Sequence, residues 1–149
     1  MSAPEPDFAS AALRHMRDAE LLLDSQGHTS RDQAWHLAGF AHECARKACL
    51  EHGWVPKVLG HDFSSASDSV LDFAIALDPR AGRFPVRAWA SRAPAVVAWH
   101  PNHRYERTGT TDRTAGRDVE ALVRQGREAV DDCILALFLN GALKAESLQ

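Results

Sequence analysis

A chain of 149 residues with 45% hydrophobic and 25% charged residues has the composition of an ordinary globular domain, long enough for one core. Its formal charge of −3 argues against a general nucleic-acid coat, and no run approaches the roughly 18 apolar residues of a membrane span. The opening MSAPEPDFAS has neither the basic start nor the apolar stretch of a secretory signal, so a cytoplasmic location without membrane attachment is expected.

Residues 1–6 are proline-rich and read as a disordered lead to a single domain over 7–145. From Asp7 the spacing of Phe8, Ala12, Met16, Ala19, Leu22 and Leu23 predicts a helix that Asp7 or Ser10 caps and Gly27 ends. A second helix is expected over about Arg31 to His52, with Thr29 or Ser30 as its cap and Gly53 as its stop. In it Ala34, Ala38, Ala41, Ala45 and Ala48 form a stripe at 4-3-4-3 spacing, which lets a neighbouring helix approach closely. Trp35, Leu37, Phe40 and Cys44 widen the apolar surface, so a polar stripe of His36, Gly39, Glu43 and Lys47 lies on a mostly buried helix. Glu43 and Lys47 form an i,i+4 pair in the favourable order.

WVPKVLGHDFSSASDSV reads as a loop leading to a helix near Ser67–Leu77, which Asp78-Pro79 breaks. Another helix is expected over Pro85–Val97, shortened or kinked by Pro94. A loop over Trp99–Thr114 then leads to a long helix over about Ala115–Leu143. No segment alternates as a strand does, so the expected architecture is all-α: an antiparallel bundle of four main helices plus a short one.

Three stretches in this order resemble the HEPN family of helical nucleotide-binding domains, across roughly residues 8–140. They are AALRHMRDAELLLDSQGHTSRDQAWHLAGFAHECARKACLEHGW, then LGHDFSSAS, then WHPNHRYER. The resemblance implies a homodimeric bundle that binds nucleotide or RNA and works beside a nucleotidyltransferase or antitoxin. It also implies toxin or defence roles, among them metal-independent RNA cleavage without a cofactor. The family-like polar positions are Glu43, Lys47, His61, Asp62, Arg104 and Tyr105. The family's ribonucleases carry Arg-x4-6-His late in the chain, and after Arg80 that spacing does not occur here. Its literal match, Arg31 to His36, lies early, and five residues place side chains about 140° apart around a helix.

The charge is unevenly spread. Residues 79–127 hold ten arginines against four acids, whereas residues 1–78 hold six basic residues against twelve acids. Arginine's planar donor fork suits phosphate, although fourteen arginines to three lysines is also a bias of the whole chain. Arg104, His103 and His100 are the candidate catalytic residues, the imidazoles for proton transfer and the guanidinium for phosphate. Arg104 has a structural alternative, an ion pair with Glu43 that pins the loop. Glu43, Lys47, His61, Tyr105, Arg113 and Arg117 are the candidate ligand contacts. His36 joins Glu43 and Lys47 in a further reading, a small-molecule site inside the bundle. Trp99 and Tyr105 suit either base stacking or anchoring of the loop, and Asp62 suits capping of the next helix. Arg113, Arg117 and Arg124 are spaced to share a face of the last helix, as a phosphate track or a solvated face. The alternative to a ligand-binding module is a helical interaction protein that docks a protein partner. The two loop histidines lack a carboxylate or cysteine at ligand spacing, and Cys44, Cys49 and Cys133 lack zinc spacing, so no metal is expected and the thiols read as reduced.

Overall fold

The computed structural model describes residues 3–25, 27–50 and 54–143, and these residues are all-helical, with no strand among them. Helix α1 spans Phe8–Asp24, and Asp7 caps it by accepting the Ser10 amide at 2.9 Å. Only residues 25–27 separate it from α2, His28–Cys49, so the two form a hairpin. Gly27, expected to end α1, instead opens α2 at φ 109°, a value that L-residues rarely adopt. The expected stop at Gly53 lies outside the described residues.

Helix α2 is the centre of the fold, packed against α1 and against the last helix, α7 (Val119–Leu139). Ala34, Ala38, Ala41 and Ala45 are fully buried, as the small-residue stripe predicts, while Ala48 is half-buried. From α1 the buried residues are Ala9, Ala12, Met16 and Ala19, so small side chains on both helices allow close approach. Helix α7 contributes Val119, Leu122, Val130, Cys133 and Leu137 to the same core.

The region between α2 and α7 departs from the sequence reading. The expected loop after α2 holds a short helix, α3 (Trp54–Leu59), with Pro56 in the first turn, where a missing amide hydrogen costs nothing. Helix α4 runs Ser65–Leu77. The expected helix over 85–97 is absent as such. It is divided into α5 (Trp89–Arg92) and a 3-10 turn (Pro94–Ala98), because Pro94 cannot continue the ladder and Ala88 sits at φ 60°. The left-handed Ala88 is held by Asp68 of α4, whose carboxylate accepts the Ala88 amide at 2.9 Å. The expected 99–114 loop contains a 3-10 turn at Pro101–Tyr105 and α6 at Thr110–Arg113. Asp118 caps α7, so Arg113 and Arg117 precede that helix and do not share a face of it with Arg124.

His42 lies where α2 meets α7. It is fully buried, its Nδ1 donates to the Ala38 carbonyl at 2.8 Å, and a Cβ on Gly126 would meet its ring at 2.9 Å. Burial pushes its pKa from the ordinary 6.5 down to about 4. Between those values the unfolded chain takes a proton that the folded chain refuses, so stability falls as pH falls from 6.5 to 4. Each unit in that window costs about 1.4 kcal/mol from this group. Urea denaturation from pH 7 to pH 4 is expected to show that loss, and His42→Gln to reduce its slope relative to the parent.

Candidate functional site

The polar stripe of α2 faces the region of shorter helices and organises it. Gly39 is buried against the indole of Trp99, so close that an added Cβ would lie 2.1 Å from the ring. Trp99 is 2% exposed and contacts Phe40 and Phe63 edge-on, with ring centroids 5.1 and 6.4 Å away. It anchors the start of the 100–105 turn, and its burial leaves no face for a stacked base.

Glu43, one turn further along α2, is 2% exposed and receives two partners on one oxygen. Its Oε1 lies 3.0 Å from Lys47 Nζ and 2.9 Å from His61 Nδ1. Its Oε2 is buried without a hydrogen-bond partner in the structure. The expected ion pair with Arg104 is not formed: the partners of Glu43 are Lys47 and His61, both on Oε1. Sequence reasoning missed the residue that brings His61 there. Arg46, 3% exposed, donates to the Asp62 carbonyl at 2.6 Å and the Gly60 carbonyl at 3.3 Å, and its guanidinium stacks 4.0 Å over the Phe63 ring. Burial lowers its pKa to about 10, which still leaves it charged at neutral pH. Its position one turn after Glu43 was the available signal. Asp62 accepts the Ser64 amide at 2.8 Å, a turn just before α4, whose N-cap is Ser64; the expected capping of α4 by the Asp62 carboxylate is not formed.

The 100–105 turn is a lattice of imidazoles. His100 caps it, with Nδ1 accepting the Asn102 amide at 3.1 Å. His103 Nδ1 accepts the indole N–H of Trp35 at 3.0 Å, and its Nε2 is 3.9 Å from Glu106. Burial, reinforced by Arg117, holds the His103 pKa below the ordinary imidazole value. Arg117 grips Glu106 through two hydrogen bonds, 2.7 and 3.0 Å, with its side chain only 11% exposed. The His61 and His100 rings are 5.6 Å apart and those of His100 and His103 6.2 Å, so Glu43, His61, His100 and His103 form one continuous row. Among the described residues no three His, Cys, Asp or Glu side chains are grouped to hold a metal ion.

Beyond His103 a polar cleft of about 190 Å³ is lined by Asp32, His36, His103, Arg104, Glu106 and Arg107. Its carboxylates are engaged: Asp32 accepts the amides of Gly109 and Thr111 at 2.7 and 3.3 Å, and Glu106 holds Arg117. Arg104 stacks on the exposed Tyr105 ring at 4.7 Å and makes no ion pair among the described residues, nor does Arg107. His36 is 8% exposed, with Nδ1 buried and unpartnered, and burial together with Arg104 lowers its pKa. The other arginines of the positive segment are largely spent within the fold. Arg80 pairs with Asp78, Arg87 with Asp72 and Arg127 with Glu20, while Arg92 and Arg113 donate to backbone carbonyls. Arg31, the literal start of the early Arg-x4-His match, bridges Asp112 and Glu120 and is not joined to His36.

No family model, curated protein or solved structure matches this chain. The site therefore rests on its own geometry. Three free cysteines are present among the described residues, with Cys49 and Cys133 buried and Cys44 partly so. Burial raises the Cys44 pKa to about 11, which keeps it a thiol at neutral pH. No helix of the described residues is long and apolar enough to cross a membrane.

The seat of Trp99 is the most sensitive packing contact in this region. Gly39→Ala is expected to cost about 1–3 kcal/mol, the usual penalty for forcing extra volume into a packed core. Urea denaturation of the variant measures it, and an unchanged midpoint would mean that Trp99 does not sit against Gly39.

Proposed function

We propose that this chain is a HEPN-like helical module that binds the phosphates of RNA or of a nucleotide through Arg104 and Arg107. One observation carries the reading: these two guanidiniums flank one cleft without a carboxylate partner, while the acids lining that cleft are already engaged. A phosphate offers such guanidiniums charge-assisted and bidentate hydrogen bonds that water offers less well. His36 and His103 add neutral imidazoles at the wall, and the resemblance of Arg104-Tyr105 to the family's element before the last helix points the same way. In this reading the hairpin of α1 and α2 with α4 and α7 makes the antiparallel four-helix bundle. The module works as a cytoplasmic homodimer beside a nucleotidyltransferase or antitoxin, with RNA cleavage as the associated activity.

A second reading, a docking module for a protein partner, is favoured by the surface of α3 and α4. Val58, Phe73 and Leu77 are each 60% exposed there, and Trp54 lies 6.0 Å from Phe73 between ring centroids.

Fluorescence anisotropy with a labelled single-stranded RNA separates the two. Replacing Arg104 and Arg107 together by Ala is expected to weaken binding at least tenfold and to reduce the salt slope by about 1.4, at roughly 0.7 per phosphate contact. Equal affinities of parent and double variant, with equal salt slopes, would exclude this cleft as the phosphate site.

A further inference from the structure

The arginine cleft is tied across by hydrogen bonds between its two walls. One wall is the N-terminal half of α2, where Asp32 and His36 lie one turn apart, and the other is the segment over 103–111. The Asp32 carboxylate crosses the cleft to accept the amides of Gly109 and Thr111, and the Trp35 indole donates to His103 Nδ1. Beside Trp35, His36 is buried and hydrogen-bonds no described residue, so it forms the floor. The cleft holds about 190 Å³, less than the roughly 300 Å³ at which pockets for whole drug-sized ligands begin. A continuous strand needs a groove open at both ends, whereas the end of a strand needs one opening.

The donors at this opening are arranged for a group with several acceptor oxygens. Arg104 and Arg107 are exposed and make no ion pair or hydrogen bond among the described residues. A third donor is fixed by its tautomer. The Trp35 indole only donates, so His103 Nδ1 accepts it and the hydrogen of the neutral ring sits on Nε2. That nitrogen is 3.9 Å from Glu106 Oε1, too far for a hydrogen bond, and both Glu106 oxygens are held by Arg117. Asp32, occupied by its two amides, is then the one lining acid that opposes the two guanidiniums. A phosphodiester within a strand carries one negative charge, whereas a terminal phosphomonoester carries about −1.5 to −2 at neutral pH and three strong acceptor oxygens. We propose that the cleft takes a terminal phosphomonoester, at the end of a single-stranded RNA or on a free mononucleotide, between Arg104, Arg107 and His103 Nε2–H. The assignment rests on the phosphate-binding reading of this cleft and narrows it from any phosphate to a terminal one.

The test is fluorescence anisotropy of the full chain with one short single-stranded RNA carrying a 5′-phosphate, a 3′-phosphate or hydroxyls at both ends. A phosphorylated end is expected to bind about tenfold or more tighter than the hydroxyl form. Replacing Arg104 and Arg107 together by Ala should erase that difference, and both side chains are exposed, so the core is spared. Arg83→Ala removes an unpaired guanidinium outside the cleft and should preserve the difference. Competition by adenosine 5′-monophosphate, with adenosine as its blank, separates the two sources of the monoester. Displacement at concentrations near the RNA's own Kd identifies a free mononucleotide, and its absence a strand end. Equal binding of the three RNAs by the parent would overturn the assignment and leave the phosphate-binding reading standing. A preference that survives in the double variant, or that Arg83→Ala removes as fully, would do the same. A parent that binds neither RNA nor adenosine 5′-monophosphate would remove the underlying reading as well.

Discussion

A carboxylate taken out of water needs compensating partners, and Glu43 sets that constraint on this fold. It is placed on α2, the helix with the most neighbours, at 2% exposure. One partner comes from its own helix, Lys47, and the other from eighteen residues away, His61. Once His61 is committed to that carboxylate, the Gly60–Asp62 backbone must lie beside α2, where Arg46 fastens its carbonyls. Arg46 is itself a buried charge, and its hydrogen bonds and the Phe63 ring offset the cost of placing it there. Two buried charges of opposite sign, one turn apart on one helix, thus hold the segment that leads into α4.

The other side of the site is held by packing. Gly39 leaves room for the Trp99 ring, and Trp99 sets where the 100–105 turn begins. Trp35 then reaches His103 from α2, and Arg117 reaches Glu106 from the segment before α7. The turn is thereby tied to two parts of the chain that are distant in sequence. Arg104 in this turn and Arg107 just after it make no ion pair among the described residues; Arg83 and Arg124 make none either, and what sets the first two apart is the one cleft that both line. Rigid support with unspent donors at the rim suits a site that must meet an anion with little reorganisation.

Much of the frame was legible in the residues. The long helices α1, α2 and α7 show themselves through apolar periodicity, and the alanine stripe of α2 marks its buried face. The middle of the chain did not, because its elements are short and set by tertiary contacts. Helix α5 begins where Asp68 receives the amide of a left-handed Ala88, which no local pattern encodes. The same limit applies to the site. Glu43 and Lys47 are neighbours by helical spacing, but the second partner, His61, comes from a distant segment whose Gly60 and Asp62 carbonyls Arg46 holds against α2. Arg117 reads as a phosphate contact by composition and is found gripping Glu106, since the late start of α7 turns it inward.

At the centre of the site, buried Glu43 fixes the tautomer of an exposed imidazole. A long-range ¹H–¹⁵N correlation spectrum of the histidine side chains, taken where the imidazoles are neutral, reads this directly. The expected result is His61 with hydrogen on Nδ1 and a bare Nε2, giving way to a mixture of tautomers in Glu43→Gln. Hydrogen on Nε2 of His61 in the parent, or a tautomer that Glu43→Gln leaves unchanged, would contradict it.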